Sequence, residues 1–204
     1  MFSNRFNGLI RLIVAVAGLF VMSCANQLNS DSFSSDGKYG SLSVSSEDAS
    51  RTLDVSAISY VNATVFASDI QTGSEPCKNN IAVNGGTGSF EIENVPTGSN
   101  RIVQIQAFDS DGKEIVGGVI RKVLDVDVGT NECIVSRAST ALGNVFYYLR
   151  ELDYETSKIS ADDVSEIEKA IDSSYDFEKI NTSALAVDFK AGGTSALKDK
   201  AGYV

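Results

Sequence analysis

The chain of 204 residues contains no histidine and no tryptophan, and it has only two prolines and three cysteines. Because histidine is missing, Ser-His-Asp and Cys-His nucleophiles are excluded, as are the usual zinc sites. Basic residues are also scarce: 17 Lys and Arg stand against 27 Asp and Glu, a formal net charge of −10. No basic patch is apparent, so nucleic acid is not expected as a partner.

No catalytic constellation of acid, base and nucleophile can be named from the sequence. The glycine-rich stretch 84–88 lacks the lysine of a phosphate loop. The stretch 153–164 resembles a calcium loop in composition, but Lys158 and Val164 stand where glycine and glutamate are needed. We therefore expect a non-catalytic protein with no metal and no cofactor. A hydrolase that uses carboxylates such as Asp125 and Asp127 is a distant alternative.

The amino-terminal region predicts export. Arg5 and Arg11 are the only charged residues before position 24, and an unbroken apolar run of 11 residues extends from Leu12 to Met22. A basic start followed by such a run is typical of a signal peptide, here 1–23, because a membrane span needs about 20 apolar residues. The alternatives are an uncleaved anchor and a soluble export signal with another cleavage site.

The residues Val21-Met22-Ser23-Cys24 resemble the bacterial lipobox, although Met22 departs from the small or hydroxylated residue common there. The resemblance implies cleavage before Cys24 and acylation of that cysteine, for example with palmitate. Each methylene buried in lipid then contributes about 0.8 kcal/mol to anchoring. It implies a bacterial cell-envelope lipoprotein. Ala25, rather than aspartate, favours the outer membrane over the inner one.

Residues 24–40 are rich in Ser, Asn, Asp and Gly, and this composition predicts a flexible tether. A period of two then indicates a β-domain over 41–137. Apolar residues alternate with polar ones at 90–93, at 103–107 and at 124–128. Asp111-Gly112 predicts a hairpin, and Gly117-Gly118 a bulge. Such short strands separated by turns are typical of a β-sandwich.

The stretch 90–101, FEIENVPTGSNR, resembles the strand–turn–strand of Ig-like and transthyretin-like (carboxypeptidase regulatory-like) sandwich modules. In it, Pro96 presets the turn and Gly98 adopts a backbone angle that is costly for other residues. The resemblance implies a mainly β fold, an antiparallel Ig-like β-sandwich. It also implies a spacer, stabiliser or binding platform, and it supplies no catalytic residues.

If Cys24 carries lipid, Cys77 and Cys133 are the two cysteines that remain in an exported protein. We expect them to form a disulfide. The alternative is two unrelated buried thiols.

A period of three to four residues predicts a small helical region over 138–204. Ser139 or Thr140 is expected to cap the first helix and Ser160 the second. A third helix is expected over about 183–190, ending at Gly192-Gly193. These helices could pack on the sandwich or present a groove to a partner.

The expected function is that of a lipid-anchored binding or structural module in the cell envelope, with an unidentified protein or glycan as ligand. Loops on a rigid sandwich usually carry the contacts. The candidate contact residues are Asn84, Gly85, Gly86, Thr97, Gly98, Ser99 and Asn100. The main alternative is an accessory or assembly subunit of an envelope complex, which would grip its partner through the helical tail.

Overall fold

The computed structural model describes residues 38–46, 55–83, 89–171, 179–198 and 200–203. The signal peptide, Cys24 and the candidate residues Asn84, Gly85 and Gly86 lie outside the described residues. The described strands are β1 (Tyr39–Ser46), β2 (Tyr60–Phe66), β3 (Cys77–Ala82), β4 (Ser89–Pro96), β5 (Gly98–Phe108), β6 (Glu114–Val126) and β7 (Gly129–Val135). The described helices are α1 (Arg137–Glu151), α2 (Ala161–Ala170) and α3 (Thr182–Gly192).

The strands form two sheets, with strand orders β4-β1-β7 and β3-β2-β5-β6. All neighbouring strands are antiparallel except β1 and β7. These two run parallel, with Gly40 opposite Gly129 at one end and Ser46 opposite Val135 at the other. The expectation of a purely antiparallel arrangement is therefore wrong for this pair. A parallel pair needs a long crossover, and the five intervening strands supply it.

One buried apolar cluster contains residues of both sheets. Its strand residues are Leu42, Val44, Ile92, Val95, Cys133 and Val135 of the first sheet and Val61, Ala63, Val65, Val103, Ile105, Ala107 and Val126 of the second. The alternation expected at 90–93 and 103–107 is confirmed, because these side chains point alternately into this cluster and away from it.

The opposite face of the four-stranded sheet packs against the helices. Phe66 of β2 and Ile102 of β5 join a second cluster with apolar residues of all three helices. In β2, Val61, Ala63 and Val65 point into the first cluster, whereas Phe66 is an apolar residue on the opposite face, because the sheet has an apolar environment on both faces. The helical region and the sheet therefore share a core. The stripes predicted for the helices are buried in it, with Val145, Leu149 and Ile167 fully covered.

The helix boundaries confirm two predictions and correct one. Ser160 caps α2 by accepting from the Asp163 backbone N–H at 3.1 Å, and α3 ends at Gly192, with Gly193 as its C-cap at φ +60°. The cap of α1 is Ser136, not Ser139 or Thr140. Ser139 occupies the third helical position, where its hydroxyl accepts from the Ser136 N–H in a capping box.

The glycine signals at Asp111-Gly112 and Gly117-Gly118 are both confirmed. Asp111-Gly112 lies in the β5–β6 hairpin, and the register of this pair shifts opposite Gly117-Gly118, as a bulge requires. The alternation predicted through Val128 is wrong. Strand β6 ends at Val126, and Val128 is 64% exposed in the turn before Gly129.

Helix α1 packs directly on the edge strand β6 at Gly143. A Cβ at this position would lie 2.3 Å from the Cβ of Arg121, so no side chain fits. The close approach lets Ser139 Oγ donate to the Arg121 carbonyl at 2.7 Å, while the Arg121 N–H donates to Thr140 Oγ1 at 3.2 Å. The helix thus satisfies backbone groups that an edge strand would otherwise leave unpaired.

Among the described residues, no helix combines the length and apolar character that crossing a membrane would require.

Replacing Gly143 with alanine should destabilise the protein, although alanine favours an isolated helix by about 1 kcal/mol. The added methyl group overpacks the α1–β6 contact, and the free energy of unfolding should fall by about 1 to 3 kcal/mol. Chemical denaturation measures the change. Ser165→Ala, on an exposed position of α2, is the control and should be neutral or slightly stabilising. A stabilised Gly143→Ala protein would contradict the packing.

Candidate functional site

The turn between β4 and β5 is held by the side chain of Arg101, which is fully buried. Its Nε donates to the carbonyl of Pro96 at 3.0 Å, and its terminal nitrogens bond the Thr97 carbonyl and the carboxylate of Asp69. Asp69 follows β2, so this guanidinium joins the turn to a separate loop. A planar group with several fixed donors suits such a set of acceptors.

Gly98 is required by this arrangement. A Cβ there would lie 2.4 Å from a terminal nitrogen of Arg101, and its φ of +142° is unfavourable for other residues. The V-P-x-G pattern therefore makes room for the arginine that follows it. Arg101 was not singled out from the sequence; an arginine at the start of a strongly apolar strand is the signal that could have revealed it.

The remaining turn residues are mostly committed to internal contacts. Thr97 donates its backbone N–H to the Lys38 carbonyl at 2.9 Å. Asn100 is 6% exposed, and its side-chain amide donates to the carbonyls of Thr156 and Ile159, each at 2.9 Å. Ser99 and Gly98 are exposed. The turn predicted as a contact surface thus also serves as a junction between the sheet and the helical region.

The carboxylate of Asp69 responds to opposing influences. Partial burial raises its pKa, but hydrogen bonding to Arg101 and the charge of Arg101 together lower the pKa by more than burial raises it. The pKa of Asp69 therefore lies below its ordinary value. Its side chain is 51% exposed, and solvent screening keeps the energetic contribution small.

A second arginine, Arg121, lies half-buried between the sheet and α1. Arg121 donates from Nε to Gln104 at 2.9 Å and from a terminal nitrogen to Asn144, and its guanidinium lies 4.2 Å from the ring centroid of Tyr147. Burial lowers the pKa of Arg121, while the nearby Tyr147, Tyr148 and Glu114 raise it less. Both hydrogen-bond acceptors of this cation are neutral amides.

The expected Cys77–Cys133 disulfide is wrong, because Cys133 carries a free thiol. Cys133 points into the cluster between the sheets and is 1% exposed. Cys77 lies opposite Thr64 in the β2–β3 pair, on the helix side of the four-stranded sheet. The four-stranded sheet therefore lies between Cys77 and Cys133. Burial raises the pKa of the Cys133 thiol to about 12, with Lys122 opposing this shift.

A cleft of about 330 Å³ lies between the edge of β6, the first turn of α1 and the end of α2. Its lining is mixed: Lys122, Val123, Ala138, Ser139, Leu142, Glu168 and Ile171. The hydroxyl of Ser139 is already committed to the Arg121 carbonyl. Nowhere in the described ranges do three potential metal ligands of the His, Cys, Asp and Glu types come together.

No protein family, no curated protein and no solved structure matches this chain.

The Asp69–Arg101 pair should make stability depend on pH in the acid range. A depressed folded-state pKa stabilises the protein above the unfolded value of about 3.9, and this contribution is lost as the pH falls through the folded value. Asp69→Asn should therefore lower the unfolding free energy at neutral pH and flatten its decline below about pH 4. Denaturation at several pH values tests this, with Asp111→Asn in the exposed hairpin turn as control. Equal slopes for wild type and Asp69→Asn would contradict the pairing.

Cys133 should resist alkylation in the native protein and react fully in denaturant without any reductant. Its burial suppresses both access and thiolate formation, and unfolding removes both barriers. Mass spectrometry after iodoacetamide treatment reads out the modified site. Labelling of Cys133 that appears only after reduction would show that Cys133 is disulfide-bonded and would contradict the free thiol.

Proposed function

We propose that the protein is a non-catalytic lipoprotein of a bacterial cell envelope, held to the membrane by an acylated Cys24 and acting as a binding or structural module. The observation that carries the proposal is the cysteine at the end of an apolar run, preceded by Ser23 and followed by the polar residues 25–37. An outer-membrane location is the favoured one. Several acyl chains on one residue provide firm anchoring.

We further propose that the two sheets form a sandwich of the transthyretin-like kind. Their shared apolar cluster supports a face-to-face arrangement. In the constant-type Ig sandwich, the first strand neighbours the second, and the second neighbours the fifth. Here β1 lies between β4 and β7, and β2 between β3 and β5, which favours the transthyretin-like resemblance over the Ig-like one.

The described body begins at the end of the molecule where the β4–β5 turn lies, because Lys38 contacts Thr97. Lys38 lies 14 positions after Cys24. A flexible tether of that length would span roughly 20 Å. In this proposal the segment Thr97–Asn100, at the start of β5, faces the lipid surface and the β5–β6 hairpin faces away from it.

The alternative of an accessory subunit gripping a partner by its helical tail has less support. The residues that would form the grip are buried against the sheet or against each other, including Phe146, Leu185 and Phe189. A carboxylate-based hydrolase is no better supported, since Asp125 accepts a hydrogen bond from the Asn100 backbone N–H.

Cys24→Ala should release the protein from the membrane fraction of an expressing bacterium, because the variant cannot be acylated. Fractionation and immunoblotting measure the shift, and mass spectrometry of the wild-type amino terminus should find Cys24 first, with added acyl mass. Cys133→Ala, which removes a free buried thiol, is the matched cysteine control and should remain in the membrane fraction. Native protein that retains residues 1–23, or that carries no acyl mass, would overturn the proposal.

A further inference from the structure

The helix-side face of the four-stranded sheet changes character along its strands. Across β2, β5 and β6, the row Phe66–Ile102–Val123 is apolar and packs in the helical cluster. The next two rows are Thr64–Gln104–Arg121 and Asn62–Gln106–Val119. The last row is Tyr60–Phe108–Glu114. We name Asn62, Thr64, Gln104 and Gln106 the polar shelf; all except Gln104 are partly exposed.

Each amide of the polar shelf is fixed through one of its polar atoms. Gln104 Oε1 accepts from Arg121, Gln106 Nε2 donates to Glu114 at 2.8 Å, and Asn62 Oδ1 accepts from a β3 backbone N–H. The other polar atom of each amide has no hydrogen bond to a described residue. The shelf therefore presents held donors and an acceptor, and binding would lose little side-chain entropy.

Aromatic rings border the polar shelf on two sides. Tyr60 and Phe108 stack with centroids 5.1 Å apart and an interplanar angle of 9°, forming the last row of the sheet. On the α1 side, Tyr147 covers Arg121, and Tyr148 meets Tyr147 edge to face while remaining 41% exposed. These rings supply flat apolar surface beside the amides.

The charge around the polar shelf is balanced. Arg121 lies on the α1 side and Glu114 at the far row, and no other charged residue belongs to these rows. A strongly anionic ligand would be repelled by Glu114, and a strongly cationic ligand would be repelled by Arg121. The overall charge of −10 additionally disfavours nucleic acid.

We infer that the polar shelf binds a neutral oligosaccharide. Sugar hydroxyls both donate and accept, as amide side chains do, and the C–H faces of a sugar ring pack on aromatic rings. The chain has no tryptophan, so tyrosines supply this stacking. The inference deepens the proposed role as a binding module and rests on it, but the ligand would be bound through the sheet face and not through the predicted loops.

The test uses the detergent-solubilised native protein and Cys24→Ala, each presented to a panel of neutral oligosaccharides with different hexoses and linkages. Direct titration should find at least one saccharide bound in the micromolar to millimolar range by both proteins. Tyr148→Ala should weaken binding about tenfold, and Gln106→Ala by a similar factor. Tyr39→Ala, which removes an equally exposed tyrosine on the other sheet, should leave affinity unchanged.

Because Tyr148 and Gln106 are on the surface, circular dichroism can establish that their variants are folded before affinity is compared. Absence of binding to every neutral saccharide at millimolar concentration would overturn the inference. So would preferential binding of a peptide or an anionic glycan, or equal loss in Tyr39→Ala. Failure of the anchor would appear separately, as unchanged fractionation of Cys24→Ala with saccharide binding intact.

Discussion

The fold depends on how the buried guanidinium of Arg101 is accommodated where the chain passes from one sheet to the other. Charge buried without partners is costly, so the turn must supply carbonyls and a second loop must supply a carboxylate. These needs fix the backbone of 96–98 and the position of Asp69. Asn100, one residue earlier on the strand, binds two carbonyls of the helical region. A short segment thus sets the relation between both sheets and the helices.

Much of the architecture could be predicted because local chemistry determines it. Alternation placed Val103 and Ile105 on one face, Asp111-Gly112 marked a hairpin, and Ser160 marked a helix start. Periodicity says which residues share a face, but it does not say what covers that face. For this reason the role of Phe66 could not be predicted. For the same reason Cys77 and Cys133, which lie on opposite sides of one sheet, were wrongly paired from the number of cysteines alone. Ser136 was missed as a cap because Ser139 and Thr140 offer the same chemistry nearby.

The candidate site was harder to predict than the fold. Turn composition placed the β4–β5 connection near Thr97, but Gly98, Ser99 and Asn100 belong to β5. Composition also could not show that Arg101, Lys38 and two distant carbonyls already bond most of the polar atoms of this segment. Gln104 and Gln106 were assigned to the polar side of a strand. Their neighbours across the sheet depend on strand register, and one of their two aromatic borders comes from α1, much later in the chain. Such groupings arise only from long-range pairing.

The parallel pairing of the first and last strands has a mechanical consequence. Strand β1 is the centre of its sheet, bonded along its length to β4 on one side and β7 on the other. In the proposed lipid-anchored protein, a pull transmitted along the chain from Cys24 would enter the described structure at Lys38 and run along the axis of β1. It would load two ladders of hydrogen bonds together, rather than peeling an edge strand one bond at a time. An attachment point built in this way resists extraction, while the polar shelf on the other sheet remains outside the line of force.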